Sequence, residues 1–280
     1  MYAQLRTNLP REVMGFSDFW FGEPFVDGRR FCGHQEVKLY VEAFAQHFDL
    51  HPLLRLNTRV LTASPVTAAA PALGPAWEVT TQAGGEKPVR QTYDALVVCN
   101  GHYSQPRLPQ VEGESDFPGL ILHSHSYRQK EVFAGQRVVV VGASASGEDI
   151  AREVAETAQE VYLSARSWQN PEWATDPNPI GRLWRRPMIR ELCADGSAVF
   201  TNGETVCGVD TVIYCTGYTY SFPFLAAGET VTVQDNCISP LYEHVFPPQA
   251  RPAYSDAKVA NRNVRDSGRE SCQAMVGRAG

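Results

Sequence analysis

The 280-residue sequence lacks several features that mark common classes of protein. It has no uninterrupted apolar run of 18 residues, so no membrane span is expected. It has no N-terminal basic and then apolar stretch, so we expect neither a signal peptide nor a membrane anchor, which favours a cytoplasmic protein. Lysine and arginine number 25 against 31 aspartates and glutamates, and this net charge of −6 argues against a nucleic-acid partner.

The cysteines lack the pairing that a disulfide framework or a metal site would need. There are seven of them, an odd number, and no two form a C-x-x-C pair. Several lie within apolar runs, where cysteine behaves as a small apolar residue. We therefore expect reduced thiols in an intracellular protein and no metal site.

The sequence does contain an organising stretch, which runs from Phe117 to Arg166. Val138 to Val141 is a β-branched run of the kind that forms a strand buried on both faces of a parallel sheet. Gly142 follows directly, as a tight turn from a strand into a helix requires. Apolar residues then recur four apart from Ile150 to Ala158, which predicts a helix after the turn.

The turn reads G-A-S-A-S-G, with Ser144 where the dinucleotide-binding fingerprint has its second glycine. A small serine still allows a pyrophosphate to approach backbone N–H groups at the start of a helix. We therefore predict that Gly142, Ser144 and Gly147 bind the phosphates of a dinucleotide. The alternative is a strand-to-helix turn that binds no ligand.

Residues 160–166 are interpreted as the second strand of the same unit. NAD-binding units place an acidic residue about 20 residues beyond the glycines, where it binds the ribose 2′-hydroxyl. Here Arg166 and Ser167 stand at the end of the strand, and a guanidinium there would pair with a 2′-phosphate. The pattern predicts NADPH rather than NADH, unless Arg166 is only a solvated charge at a strand end.

A second pattern occurs twice, at residues 94–102 and 210–218. Each copy has an aspartate, four apolar or aromatic residues that end in cysteine, and then a glycine before an aromatic residue. Each also follows a predicted pair of strands. Two copies predict two nucleotide-binding domains, each closed by a buried strand that ends in glycine. The expected cofactor contacts at these strand ends are Asn100 and Gly101, and Thr216 and Gly217.

The remaining segments are interpreted from composition and periodicity. Residues 14–34 are rich in aromatic residues and glycine, which fits either a loop packed on a core or the wall of a cofactor or substrate site. The other predictions are an amphipathic helix over 34–48, strands over 54–61 and 77–81, a flexible insertion over 63–75, a surface insertion over 182–190 and a disordered tail over 249–280.

Taken together, these residues resemble the flavin-containing monooxygenases, flavoproteins that oxygenate nitrogen and sulfur. The family's identifying pattern, F-x-G-x-x-x-H-x-x-x-[FY], matches Phe117, Gly119, His123 and Tyr127, just ahead of the glycine-rich turn. Similar segments also lie at residues 5–10, 99–103, 215–218 and 241–248. The resemblance is nearest to the plant and microbial S-oxygenating branch.

The resemblance implies an α/β fold with two Rossmann-like dinucleotide-binding domains, of which the FAD domain is incomplete. It assigns residues 1–108 to the remainder of the FAD-binding domain and residues 109–222 to the NADPH-binding domain. Residues 223–248 then return to the FAD domain, and residues 249–280 form an atypical tail.

The resemblance also implies a chemistry. NADPH reduces FAD, the reduced flavin takes up O2 as a C4a-hydroperoxide, and a soft amine or thioether attacks its distal oxygen. Asn8 matches the family asparagine beside the flavin and NADP+ and is the candidate catalytic residue, although a plain turn residue before a Leu-Pro pair would look the same. Ser126 and Tyr127 match positions near the cofactor, and His123 fits a structural role.

Two departures from the family pattern keep the function open. No strand and G-x-G-x-x-G precede Asn8 to hold the FAD pyrophosphate, and the polar sequence from Gln249 onward does not resemble the family's apolar continuation. The chain is therefore either a monooxygenase that uses NADPH and FAD or a truncated, non-catalytic NADP-binding fragment of one. A Baeyer–Villiger monooxygenase is a weaker alternative, because that family carries tryptophan at the position of Tyr127.

Overall fold

The structure is a computed structural model that describes residues 1–66, 76–176, 178–225 and 231–247. The predicted tail over 249–280 and residues 67–75 of the predicted insertion lie outside the described residues. The chain divides into two compact units. The first combines Met1–Leu53 with Pro106–Tyr218, and the second combines Leu54–Gln105 with the described residues from Thr219 onward.

The α-helices are α1 (Arg11–Met14), α2 (His34–His47) and α3 (Ala145–Val154). Single 3-10 turns lie at His51–Leu53, Glu114–Asp116, Ser124–Ser126, Lys130–Phe133 and Pro171–Ala174. The strands are β1 (Thr58–Val66), β2 (Ala76–Ala83), β3 (Val89–Tyr93), β4 (Gln105–Pro106), β5 (Leu120–His123), β6 (Arg137–Val141), β7 (Glu160–Ser164), β8 (Leu183–Arg186), β9 (Ile189–Leu192), β10 (Ala198–Phe200), β11 (Thr205–Val206), β12 (Thr211–Tyr214), β13 (Tyr218–Thr219), β14 (Thr232–Gln234) and β15 (Cys237–Ser239).

The first unit is built on a parallel sheet of five strands in the order β5-β12-β6-β7-β8. Its central strand, β6, has Val138 to Val141 fully buried, because side chains cover both faces of the sheet. On one face Ile150 and Val154 of α3 pack against Val138 and Val140. The predicted strand, turn and helix are confirmed.

The opposite face of the parallel sheet is covered by a small antiparallel sheet, in the order β11-β10-β9. Leu192 and Phe200 from these strands pack with Val139, Tyr162 and Val212. The core of this unit is therefore three layers deep, with a helix on one side and a sheet on the other.

The arginine-rich segment over 182–190 is not a surface insertion, and that prediction is wrong. Leu183 opens β8, the edge strand of the parallel sheet, and is buried beside Val161. The charged residues fit there because aromatic rings cover their stems; the Arg186 guanidinium lies 5.1 Å from the ring centre of Trp184.

The N-terminal part of the first unit is organised by a buried ion pair between Arg11 and Glu36 of α2, 2.8 Å apart. The Glu36 carboxylate also accepts hydrogen bonds from three backbone N–H groups, at residues 25, 26 and 27. Phe21 stacks on Tyr40 at 4.2 Å and is buried, whereas Trp20 is exposed. The predicted amphipathic helix is confirmed, with α2 ending one residue earlier than expected.

The second unit contains an antiparallel sheet in the order β1-β2-β3. Ala63, Trp77 and Val79 form its small core, packed against Leu96, Phe224 and Leu225. The strand predicted over 77–81 is confirmed within β2. The one predicted over 54–61 is displaced, because residues 62–66 pair with β2 despite their Ala/Pro-rich composition, so the predicted insertion is wrong over residues 63–66.

The first copy of the repeated pattern does not form the predicted buried strand. Residues 95–100 carry no strand, and Val97 is 80% exposed. A strand requires hydrogen-bonded neighbours, and none of the described strands pairs with this segment. The second copy forms β12, as predicted.

Candidate functional site

The candidate site lies at the carboxyl ends of β6, β7 and β12, where Gly142 forms the turn into α3. Its N–H donates to the Ser164 carbonyl at 2.8 Å, and its φ of +106° is one that residues with a Cβ rarely adopt. A Cβ at this position would lie 2.5 Å from the carbonyl oxygen of Cys215. Only glycine therefore allows the chain to turn here.

The helix N-terminus after this turn is open. Ser144 is the N-cap residue of α3, yet its side chain makes no capping hydrogen bond, and residues 144–146 are exposed. The first N–H groups of the helix consequently remain available to an anion. Gly147 has a different task, since a Cβ there would collide with the carbonyl oxygen of Gly142 and push the helix away from the strand.

Arg166 and Ser167 follow β7 by two and three residues, and both are exposed. Within the part of the chain that the structure describes, no ion pair or hydrogen bond holds the Arg166 side chain. β7 lies directly beside β6, with Ser164 next to Val141 in register. Arg166 therefore lies just beyond the end of the strand that neighbours the glycine turn, as the sequence predicted.

The family motif, which begins at Phe117 and ends at Tyr127, includes β5, the strand that pairs with β12. Phe117 is buried among the residues of the face opposite α3. A Cβ on Gly119 would lie 2.6 Å from the carbonyl oxygen of Asp210, so the glycine permits close approach of these two segments of the backbone. Both positions therefore contribute to the packing of the sheet.

His123 is buried at the end of β5. Its Nε2 lies 3.0 Å from the Gly217 carbonyl, and its Nδ1 accepts a hydrogen bond from the His125 N–H at 3.1 Å. This pair of contacts fits a neutral ring with its proton on Nε2. Burial lowers the pKa of His123 further than the Gly217 hydrogen bond raises it. The histidine thus fixes the turn after β12.

Thr216 and Gly217 occupy that turn. The Thr216 hydroxyl donates to the carbonyl oxygen of Arg107, and the Arg107 N–H donates back to the Gly217 carbonyl at 3.0 Å. Gly217 has a φ of +81°. The Thr216 backbone nitrogen lies near the Cβ direction of Gly142, so the structure brings these two turns together.

Ser126 is exposed, but Tyr127 points into the core. The Tyr127 ring stacks on Phe133 at 5.8 Å and meets Tyr2 edge-on at 5.5 Å. Burial and the nearby Glu153 carboxylate raise the pKa of Tyr127, which keeps the phenol neutral. Its contact with a cofactor stays a prediction.

The other three predicted site residues are Asn8, Asn100 and Gly101. Asn8 is exposed on the N-terminal segment. Asn100 and Gly101 belong to the second compact unit, where the Asn100 amide donates weakly to the Ser221 carbonyl at 3.4 Å. The roles of all three residues stay predictions.

Sequence reasoning missed one feature beside the site. The Arg185 guanidinium lies over the Trp173 ring, 4.2 Å from its centre, next to Trp168. The available signal was the high density of tryptophan and arginine between residues 168 and 186, but the arginines from residue 182 onward were interpreted as part of a surface insertion.

The described residues offer little support for a membrane span, a metal site or a reactive thiol. None of the helices there is long and apolar enough to cross a membrane. No group of His, Cys, Asp and Glu in the described ranges could hold a metal ion. Burial raises the pKa of the Cys215 thiol to about 12, so it is not a nucleophile at neutral pH.

The parallel sheet and the glycine turn into α3 define an α/β protein of the Rossmann-like class. The model of the family described as "Flavin-binding monooxygenase-like" matches residues 1–174 and 177–255, and the chain belongs to that family. The predicted family and the α/β class are both confirmed. The domain boundaries predicted for the two cofactors stay a prediction.

Curated flavin-containing monooxygenases and solved structures are similar to this chain. Flavin-containing monooxygenase FMO GS-OX-like 2 of Arabidopsis thaliana is 44% identical over 91% of this chain and 55% of its own length. The structure of S-allyl-L-cysteine S-oxygenase from Allium sativum is 42% identical, with a TM-score of 0.80 over 90% of this chain and 56% of that one. Tmm from a Pelagibacter species is 32% identical, with a TM-score of 0.69 over 81% of this chain and 49% of its own.

The chain spans about half the length of the relatives it matches.

Proposed function

We propose that this chain carries the NADPH-binding part of a flavin-dependent monooxygenase, which uses O2 to oxygenate soft nitrogen or sulfur in small molecules. The similarity to an Allium sativum S-allyl-L-cysteine S-oxygenase supports a thioether as the first substrate to try. Family membership supports the reaction class.

The observation that carries the proposal is that Gly142 and Arg166 follow neighbouring strands, β6 and β7. A backbone that only glycine can adopt leads into an open helix N-terminus. Two residues beyond the adjacent strand stands an arginine that has no partner among the described residues. The N–H groups of α3 would hold the pyrophosphate, while Arg166 and Ser167 would hold the 2′-phosphate. Bound there, NADPH supplies a hydride.

A test of this site compares NADPH and NADH binding for the wild type and Arg166→Ala. We expect the wild type to prefer NADPH and the variant to lose roughly a factor of ten or more of that preference, because a charge-assisted contact to the 2′-phosphate disappears. Arg152→Ala is the matched control, since Arg152 is exposed on α3 and pairs with Glu148. An unchanged ratio in Arg166→Ala would show that the assignment of Arg166 is wrong.

The second candidate function is an NADP-binding fragment that does not turn over. Among the described residues, Gly142 is the one place where a parallel strand leads through a glycine turn into a helix of eight or more residues. These described residues therefore offer no second site of this kind for the pyrophosphate of FAD. Asn8 and Tyr127 offer at most contacts to the flavin ring. Ring contacts alone would have to offset the entropy cost of association.

The two candidates differ in whether the protein retains flavin. We expect the 280-residue chain, purified with excess FAD and then desalted, to show little flavin absorbance and no NADPH-dependent oxygenation of a thioether. A full-length relative such as the Allium sativum enzyme is the positive control. Stoichiometric yellow protein with coupled turnover would establish the complete monooxygenase function for this chain alone.

A further inference from the structure

Arg185 is held between two tryptophans at the carboxyl end of β8. Its guanidinium carbon lies 4.2 Å from the ring centre of Trp173 and 5.7 Å from that of Trp168. The two indoles meet at 70°, with their centres 6.5 Å apart. The Trp168 Nε1–H also donates to the Arg186 carbonyl at 3.1 Å, which ties the indole to β8. The rings thus fix the plane of the guanidinium.

The Arg185 guanidinium has no polar partner among the described residues. No carboxylate or carbonyl there accepts from it, and its Nε is buried without a hydrogen bond. The Nε of Arg186 likewise makes no hydrogen bond, but it lies 3.0 Å from the Glu204 carboxylate, and Arg182 donates to the Ala158 carbonyl at 2.7 Å. A desolvated charged N–H group without an acceptor is unfavourable, so an anion is the partner that this guanidinium lacks.

The strand register places Arg185 beside the proposed cofactor site. Val140, Leu163 and Arg185 lie abreast on β6, β7 and β8. Neighbouring strands are about 4.8 Å apart, within the reach of an arginine side chain from one strand to the end of the next. Gly142 stands two residues beyond Val140, and Arg166 stands three beyond Leu163, so all three strands end at one edge.

The face of the sheet on which Arg185 lies also matches the position of the proposed cofactor site. Side chains alternate along a strand, so Arg185 lies on the same face as Leu183, two residues earlier. Leu183 packs in the cluster that contains Leu163 and Ile150 of α3, and Trp168 packs against the same cluster. Arg185 is therefore on the α3 face, beside the helix N-terminus that would receive the pyrophosphate.

We propose that Arg185 is a second cation for the 2′-phosphate of NADPH and acts with Arg166 to set the preference for NADPH over NADH. This inference rests on the proposed NADPH site. A phosphate monoester carries more than one negative charge at neutral pH, and two guanidiniums match it better than one. The tryptophans orient the planar fork in advance, so little side-chain entropy is lost on binding.

The test is a calorimetric titration of the full chain with adenosine 2′,5′-bisphosphate and with 5′-AMP. These ligands share the adenosine and differ in the 2′-phosphate. We expect Arg185→Ala to weaken binding of the bisphosphate about tenfold to a hundredfold and that of 5′-AMP by less than about twofold. Arg190→Ala is the matched control, because Arg190 is half-exposed on β9 and pairs only loosely with Glu191, at 3.6 Å.

A spectroscopic measurement follows the same contact. Since Trp168 and Trp173 cover the guanidinium, the bisphosphate should change the tryptophan emission of the wild type but not of Arg185→Ala. If Arg185→Ala melts at a lower temperature than the wild type, Arg185→Lys replaces it. Lysine keeps the charge but not the planar fork, so we expect bisphosphate binding several-fold weaker than in the wild type.

The outcomes separate this inference from the proposed function. If Arg166→Ala loses bisphosphate binding while Arg185→Ala and Arg185→Lys keep it, the inference about Arg185 is wrong and the NADPH site stands. If Arg185→Ala weakens 5′-AMP as much as the bisphosphate, Arg185 contacts the adenosine and the inference is again wrong. If the wild type does not prefer the bisphosphate over 5′-AMP, both the inference and the proposed NADPH site are overturned.

Discussion

The two copies of the repeated pattern, residues 94–102 and 210–218, have matching sequences and different structures. In the second copy Val212 and Ile213 of β12 are fully buried, and Asp210 accepts a hydrogen bond from the Arg137 N–H at 2.8 Å. In the first copy Val97 is 80% exposed, and the segment forms no strand. An apolar run with a following glycine is therefore not sufficient to form a buried strand.

The difference comes from the neighbours of each copy. β12 lies between β5 and β6, so its backbone groups are hydrogen-bonded on both sides, and both of its faces are covered. None of the described strands pairs with residues 95–100. β propensity depends on packing against neighbouring strands more than on the residue itself.

The largest effect should come from removing one apolar side chain from each copy. Ile213→Ala should lower the free energy of unfolding by roughly 2–5 kcal/mol, because it leaves a cavity in a fully packed sheet. Val97→Ala should change it by no more than about 0.5 kcal/mol, since the side chain is already in water. Urea unfolding followed by circular dichroism measures both values.

Equal losses in the two variants would contradict this comparison. They would mean that residues 95–100 are buried in solution, for instance by association of two molecules, and gel filtration of the wild type would then show a dimer.

The glycine after β6, which pairs with β12, and the glycine after residues 95–100 sharpen the comparison. Gly142→Val should abolish NADPH binding, because the new Cβ would meet the Cys215 carbonyl and the φ of +106° is strained for valine. Gly101→Val should cost only about 1–3 kcal/mol, since its φ is +71° but the space around it is open. Fluorescence titration with NADPH separates the two cases, provided that circular dichroism finds both variants folded. NADPH binding that survives Gly142→Val would mean that this turn is only structural.

Much of the first unit could be predicted from the sequence because its signals are local. The four valines at 138–141 are enough to predict a strand buried on both faces, and Gly142 marks where it ends. The helix was less precisely placed. α3 ends at Val154, and Ala158 lies beyond it but still packs in the same core.

The parts that could not be predicted depend on contacts between distant residues. β8 carries two adjacent arginines, which suggest a solvated segment until the rings of Tyr162, Trp184 and Trp173 are seen to cover them. The exposure of Val97 and Val98 was likewise not predictable, because the sequence alone does not state which strands are present beside them. Arg166 was predictable from its spacing to the glycines, whereas Arg185 needed the register of β7 and β8.

The smallest effect concerns the pH dependence of stability at the second copy, where His123 holds the carbonyl of Gly217. Burial lowers the pKa of His123 below its ordinary value of 6.5. Below pH 6.5 the unfolded chain therefore binds a proton that the folded chain resists, so this contribution to stability is present above that pH and is lost as the pH falls. His123→Gln keeps an N–H donor for Gly217 but cannot titrate. We expect urea unfolding between pH 7 and 5 to give a shallower decline for the variant than for the wild type, whereas parallel curves would show that His123 is protonated equally in both states.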